Sequence, residues 1–370
     1  MILSIETSCD ETAAALVERE EGGVRVVSSV VSSQIALHAP FGGVVPALAA
    51  REHAKNIVPV IETALREANI SANHIEAIAV TGGPGLSPAL RIGIMAGKTL
   101  SYLMEKPLLP IHHIEGHIYA NTILPSQASP HSSEFHFPLL ALVVSGGHTE
   151  LVLVRTHFAY EIRGATEDDA AGEAFDKVAK MLGLPTQAGP EIARRAEIFR
   201  ALPEKERSPA PEFPRPMIDS GDFRFSFSGL KTAVLYFLKK NVANKESDHF
   251  IEAVSFAFEE AVLETLLAKT RLALETFQPA TLTVVGGVSA NTELRRRMRA
   301  LTQTQFPGTH FMIPELRYSL DNAAMIGAAA LFRFERMSDT HKDRARALWK
   351  TLGADPNLPL GAYEECLATS

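Results

Sequence analysis

The run Ile2-Leu3-Ser4-Ile5 reads as a strand that leads into Glu6-Thr7-Ser8-Cys9-Asp10-Glu11-Thr12 and resumes as Ala13-Ala14-Ala15-Leu16-Val17. The same order recurs where Leu142-Val143-Val144 leads into Ser145-Gly146-Gly147-His148-Thr149 and resumes as Glu150-Leu151-Val152-Leu153-Val154. Each copy is a strand, a tight turn of small and hydroxyl residues, and a returning strand. A second pair follows in the same order. Ala77-Ile78-Ala79-Val80-Thr81 meets Gly82-Gly83 before a helix carrying Leu90-Arg91, and Thr281-Leu282-Thr283-Val284-Val285 meets Gly286-Gly287 before a helix carrying Leu294-Arg295. One strand-turn-strand and one strand-Gly-Gly-helix in each half point to a duplication. Two such halves facing each other make a cleft lined by turn backbones.

The remaining pattern agrees. Strands are expected at 2–6, 13–18, 25–32, 76–80, 138–144, 149–155 and 281–285. Helices are expected at 47–68, 87–104, 169–182, 248–277, 290–303 and 320–335. This alternation favours largely parallel sheets covered by helices. Pro59 removes a backbone donor and is expected to kink the first long helix. Pro125 to Pro138 and Pro203 to Pro214 read as exposed loops. At 370 residues the chain exceeds what one core usually organises, so two domains are expected.

Composition narrows the function classes. A net charge of −7 argues against an unassisted, sequence-independent nucleic-acid binder, because neutralising phosphates needs surplus Lys and Arg. It leaves room for a local basic surface, with Arg295, Arg296, Arg297 and Arg299 as one candidate and Arg194, Arg195 and Arg200 as another. Cys9 and Cys366 stand at opposite ends, so no disulfide framework or thiolate cluster is implied. Met1 runs directly into a strand, and no apolar run reaches roughly 18 residues, so a cytoplasmic protein without a membrane span is expected.

Consecutive glycines between a buried strand and a helix let the backbone approach a ligand, and the helix start offers free N–H groups. Gly146-Gly147 and Gly286-Gly287 therefore suit phosphate oxygens and a nucleoside. Gly82-Gly83-Pro84-Gly85-Leu86-Ser87 lacks the third glycine of a dinucleotide fingerprint, and no GxxxxGK[ST] loop occurs. His112-His113-Ile114-Glu115-Gly116-His117 carries the sharpest chemical signal. Positions four apart share a helix face, so His113 and His117 can direct imidazoles at one cation. A zinc-protease helix needs Glu directly after the first histidine; Ile114 stands there, and Glu115 faces elsewhere. Asp10, Asp168, Asp169, Asp176 and Asp321 are the carboxylates that could complete a metal shell.

Taken together these segments resemble the tRNA adenosine threonylcarbamoyltransferases, in the actin-like, sugar-kinase-like ATPase superfamily. The resemblance is carried by Ile5 to Thr12, Phe41-Gly42-Gly43-Val44-Val45-Pro46, His113 to His117, Val144 to Thr149, and Asp168 to Lys177. Phe225 to Thr232, Gly286 to Asn291 and Asp321-Asn322 complete it. It is collinear to about Phe334 and closest to the bacterial and mitochondrial branch.

The resemblance implies a duplicated actin-like (RNase H-like) α/β fold with an interdomain nucleotide cleft. The domains would be 1–111 with about 323–345, then 112–322 carrying the metal and nucleotide motifs, then a tail at 346–370. It implies transfer of the threonylcarbamoyl group from threonylcarbamoyl-adenylate to the exocyclic amine of the adenosine 3′ of the anticodon, in tRNAs reading codons that begin with A. AMP is released. His113, His117 and Asp321 would hold one divalent metal ion per subunit, iron or zinc. Val143, Val144, Ser145, Gly146 and Gly147 would cradle the phosphate of an adenylate-type nucleotide, ATP included. Asp176, Gly189 and Asn291 would hold its ribose and base, and Asp10 and Glu11 would orient the amine or take its proton. The implied partners are tRNA, with a paralogous dimerisation subunit and a P-loop ATPase in the bacterial manner, or a homodimer in the mitochondrial manner.

Three departures stand out. Ser319-Leu320 replaces the usual Cys-Thr before Asp321, Ala323 replaces a Gly, and Gln187-Ala188-Gly189-Pro190 replaces Pro-Gly-Gly-Pro. Two other functions compete. A metabolite kinase of the same superfamily would explain the glycine turns but not the histidine pair. A non-catalytic scaffold would not need His113, His117, Asp176 and Asp321.

Overall fold

The computed structural model describes residues 1–125, 134–184, 189–241 and 247–363. Cys366 and Gln187-Ala188 therefore lie outside the described residues, as does part of the expected loop from Pro125 to Pro138. The chain opens with β1 (Ile2–Glu6), β2 (Glu11–Glu20) and β3 (Gly23–Ser33), then α1 (Ile35–His38) and α2 (Pro46–Ala68). Next come β4 (Ala77–Gly83), α3 (Ser87–Met104), β5 (Leu108–His112) and α4 (His113–Tyr119). β6 (Leu139–Val144), β7 (Thr149–Val154) and β8 (Tyr160–Ala165) precede α5 (Ala171–Met181), α6 (Gly189–Ala201), α7 (Ser228–Lys240) and α8 (Asp248–Phe277). β9 (Thr281–Val285), α9 (Thr292–Gln305), β10 (His310–Met312), α10 (Leu316–Ser319), α11 (Ala323–Arg336) and α12 (Asp339–Ala347) follow.

The duplication is explicit in the strand order. One sheet runs β3-β2-β1-β4-β5 and the other β8-β7-β6-β9-β10, so each strand has a counterpart five positions on. In both sheets the first two strands pair antiparallel and the first pairs parallel with the fourth. That register sets Ile5 beside Val80 in the first sheet and Val143 beside Val285 in the second. Both central strands, β1 and β6, are buried at every residue. They carry the uninterrupted apolar character of strands covered on both faces.

Two compact units result: residues 1–135, 157–160 and 314–370, and residues 136–156 and 161–313. In the first, α2 buries Ala49, His53, Ile57, Val60, Ile61 and Ala64, a stripe at three- and four-residue intervals. Ile57, Val60, Ile61 and Ala64 join Leu3, Ile5, Leu16, Ile78 and Leu90 in one core. Pro59 sits inside this one continuous helix. It and Lys55, whose carbonyl loses its donor, are both exposed, so water can serve that carbonyl. In the second unit α8 runs 30 residues and is buried on most sides. Its Val254, Phe258, Val262 and Leu266 meet Phe175, Phe225, Leu282 and Leu294.

The units divide the chain differently from the expected partition. The expected boundary at 111/112 falls inside the first unit, because β5 ends at His112 and α4 begins at His113 without a break. α11 packs against α4, β1 and β2, and Arg333 on it donates to both carboxylate oxygens of Glu115 at 2.9 Å. His113, His117 and Asp321 thus belong to the first unit, as do the described residues of the expected tail. No helix among the described residues is long and apolar enough to cross a membrane.

Candidate metal centre and nucleotide turns

His113 opens α4 and His117 follows one turn later, so both rings leave the same face. Asp321 lies just before α11, whose first turn is capped by Asn322: Met325 N donates to Asn322 Oδ1 at 3.0 Å. That cap fixes where the preceding residue points. His113 Nε2 lies 3.4 Å and His117 Nε2 3.2 Å from Asp321 Oδ1. The three ligand atoms are within 4.8 Å of one another, and this is the one such group among the described residues.

Three features of this site fit a cation. Neither ring nitrogen of His117 makes a hydrogen bond although the side chain is buried. Burial would raise the pKa of Asp321, yet His113 and His117 hold it well below the usual carboxylate range. Burial would likewise lower that of His113, but Asp321 and Glu6 hold it well above the usual imidazole value. A spot that draws a proton so strongly is one where positive charge is stabilised. The donor set, two imidazoles and a carboxylate, is that of an open metal site rather than a closed structural shell. Glu115 takes no part, since it faces Arg333.

Asp10 and Glu11 stand at the turn between β1 and β2, in the same unit. Burial, then the charges of Asp321 and Asp10, push the Glu11 carboxyl up to about 9. Burial and the same two carboxylates raise the pKa of the Cys9 thiol. Sequence reasoning missed what pins this turn. Buried His53 on α2 donates from Nε2 to Cys9 O at 3.0 Å and accepts at Nδ1 from Thr12 Oγ1 at 2.8 Å. The Gln34 backbone N–H donates to Asp10 O at 3.0 Å. It also missed Glu6, which is fully buried and accepts from His113 Nδ1 at 3.1 Å and Thr81 Oγ1 at 2.6 Å. No spacing rule joins residues 6, 81 and 113; sheet register does.

In the second unit the turn between β6 and β7 is tied by Ser145, whose Oγ accepts from Gly147 N at 3.3 Å and His148 N at 3.0 Å. Gly146 and Gly147 are exposed, and a Cβ on either would meet nothing within 4 Å. Behind them Gly172 in the first turn of α5 donates to Ser145 O at 3.2 Å. A Cβ on Gly172 would lie 2.6 Å from that oxygen, and one on Gly286 2.6 Å from Val144 O. The two glycine turns therefore touch and leave open backbone on one side. Asp176 is exposed on α5, and Gly189 begins α6 against Phe175. Asn291 caps α9, accepting from Leu294 N at 2.8 Å and donating to Glu259 at 2.7 Å.

The Gly82-Gly83 corner is different. A Cβ on Gly82 would overlap Tyr363 Oη and one on Gly83 would overlap Asp355 O, so the chain's own C-terminal segment fills it. Asp168 and Asp169 are no metal ligands either. Asp168 accepts from Ser226, Phe227 N and Ser228 N at the start of α7, and Asp169 is held by Lys177 and Lys231. Within the arginine clusters Arg296 and Arg297 pair with Glu293, Arg194 and Arg195 with Glu191, and Arg200 with Glu259 and Glu260, while Arg295 donates to Ser289 O at 2.6 Å.

The fold and these features define a duplicated α/β protein with a His-His-carboxylate cluster in one unit and open glycine turns in the other. HypF, in its phosphate- and nucleotide-bound form, shares that fold, with a TM-score of 0.55 at 12% identity over 91% of this chain and 47% of HypF. The model of the tRNA N6-adenosine threonylcarbamoyltransferase family matches residues 25–328. The enzyme of that name from Listeria monocytogenes serotype 4b is 45% identical over 90% of this chain and 91% of its own length. The one from Bacillus subtilis is 45% identical over the same shares of each chain. The chain belongs to the tRNA N6-adenosine threonylcarbamoyltransferase family.

Proposed function

We propose that this protein is a cytoplasmic, metal-dependent transferase. It moves the threonylcarbamoyl group from threonylcarbamoyl-adenylate to the exocyclic amine of the adenosine 3′ of the anticodon, in tRNAs reading codons that begin with A. The observation that carries the reading is the convergence of His113, His117 and Asp321 on one point. A ligand set so placed has no use in a metabolite kinase. These residues would hold iron or zinc, which as a Lewis acid polarises the reacting carbonyl. Val143 to Gly147 would receive the adenylate phosphate on the open backbone of Gly146 and Gly147, with Asp176, Gly189 and Asn291 at the ribose and base.

In the reaction the amine nitrogen bonds to the carbamoyl carbon, the carbon–oxygen bond to the phosphate breaks, and AMP leaves with that electron pair. The amine must lose a proton. Asp10 and Glu11, at the β1–β2 turn of the unit that also holds the histidines, are the residues we assign to orient the amine or take that proton. Partners would be a paralogous dimerisation subunit and a P-loop ATPase, or a second copy of this chain.

The test is mass spectrometry of nucleosides from tRNA incubated with the purified protein and threonylcarbamoyl-adenylate, with and without such partners. Modified adenosine that disappears with Asp321→Ala supports the assignment. Turnover of ATP on a small metabolite, with tRNA unmodified under every condition, would overturn it in favour of a kinase.

A further inference from the structure

Glu6 has no part in the chemistry above, yet it is a fully buried carboxylate at the end of β1. Such a group is costly unless each oxygen finds donors. Its Oε1 accepts from Ser8 N, and its Oε2 accepts from Thr81 Oγ1 at 2.6 Å and from His113 Nδ1 at 3.1 Å. Because a carboxylate only accepts, the His113 proton on this side must sit on Nδ1. The ring is thereby left with Nε2, the atom 3.4 Å from Asp321 Oδ1, as its free lone pair. Ser8 Oγ, 3.2 Å from the same Nδ1, can share that proton.

We infer that Glu6 is a positioning residue for the metal centre, setting the tautomer and ring orientation of His113 so that Nε2 is the ligand atom. The inference rests on His113, His117 and Asp321 holding a metal. Partners of this kind typically change metal affinity by about 10–100-fold when replaced. Glu6→Gln is the sharp variant because it keeps the shape. With its oxygen accepting from Ser8 N, the new amide turns its NH2 toward His113 Nδ1. That nitrogen must then accept, and the proton moves to Nε2, where it blocks ligation. Thr81→Val is the control, since it removes one bond to Glu6 without touching His113.

The experiment titrates zinc ion into metal-stripped full-length protein against a chromogenic chelator. It also records 15N spectra of histidine-labelled parent protein loaded with zinc. Glu6→Gln should bind zinc about 10–100-fold more weakly, while Thr81→Val binds it like the parent. The spectra should show the His113 proton on Nδ1 and zinc on Nε2. Parental zinc affinity in a folded Glu6→Gln protein overturns the inference, as does zinc on His113 Nδ1. Should Glu6→Gln fail to fold, the spectra of the parent decide alone. His117→Ala separates the two readings: if it abolishes binding while Glu6→Gln leaves it intact, the metal centre stands and the role of Glu6 falls. A parent that binds no zinc overturns both.

Discussion

His117 is buried, its Nδ1 makes no hydrogen bond and its Nε2 faces Asp321 Oδ1 at 3.2 Å, so its removal deletes the proposed ligand atom and that one polar contact. His117→Ala is therefore expected to lower threonylcarbamoyl transfer at least about 100-fold and to strip bound metal, with the melting temperature little changed. Activity, metal content and thermal melting measured together would show this; near-parental transfer would contradict it. Glu293 supplies a second test. Arg296 beside it, helped by Arg297 and Arg200, holds its pKa down at about 2 against an ordinary 4.5. Unfolding therefore takes up a proton between those values. The stability this adds is complete above about pH 4.5 and gone once pH falls through about 2. Glu293→Gln should lose about 1 kcal/mol at pH 7, since Arg296 is largely solvated, or about 2–4 °C in Tm. Thermal melts should show that gap closing from pH 4.5 downward. At this scale the histidine pair was legible because a helix turn separates its members. Asp321 lies some 200 residues away and stood among five candidate carboxylates until family resemblance singled it out. Glu6 and Thr81 were not legible, because their meeting is fixed by the pairing of β1 with β4.

The elements were easiest to read where a period ran long. The expected helices 87–104 and 248–277 and the strand 281–285 coincide with α3, α8 and β9. β5, β8 and β10 escaped notice for separate reasons. β5 contains Pro110 and closes one side of its sheet, where a missing donor is tolerated. β8 is half exposed, and β10 has three residues. The glycine pairs show where sequence is ambiguous, since Gly82 and Gly146 both follow a buried strand. Gly82→Ala should cost about 1–3 kcal/mol through its overlap with Tyr363. Gly146→Ala should leave thermal melting unchanged, because a methyl there meets nothing within 4 Å. It should still weaken AMP binding about tenfold or more by isothermal titration, as it covers backbone proposed to receive the phosphate. Equal AMP affinity would remove Gly146 from the nucleotide site.

Across the whole molecule, one strand order is built twice with different turn chemistry. The first unit keeps acids and histidines at its turns, while the second keeps bare glycine backbone. A metal that binds the folded first unit should stabilise that unit by about 2.7 kcal/mol at a hundredfold excess over Kd. Hydrogen exchange should accordingly slow up to about 100-fold around residues 6–11, 112–119 and 316–322 on adding zinc, and stay unchanged in residues 161–313. Slowing spread evenly over both units would place the metal elsewhere. The compensated arginines carry a related lesson: runs such as Arg295-Arg296-Arg297 read as a basic surface, yet acids three or four residues away on the same helix claim much of their charge.

The first unit is discontinuous, with the second inserted between its parts. On the ribosome this sets a timetable. His113 and His117 emerge about 200 residues ahead of Asp321, which at about 5–20 residues per second is a delay of roughly 10–40 s. Over that interval the nascent chain offers two imidazoles and an acidic turn without the carboxylate that completes them. The inserted unit, ending at Ile313, is fully synthesised before that carboxylate appears. Capture of a metal by these three residues would thus fall among the last events in the birth of the molecule, after the half proposed to hold the nucleotide has left the ribosomal tunnel.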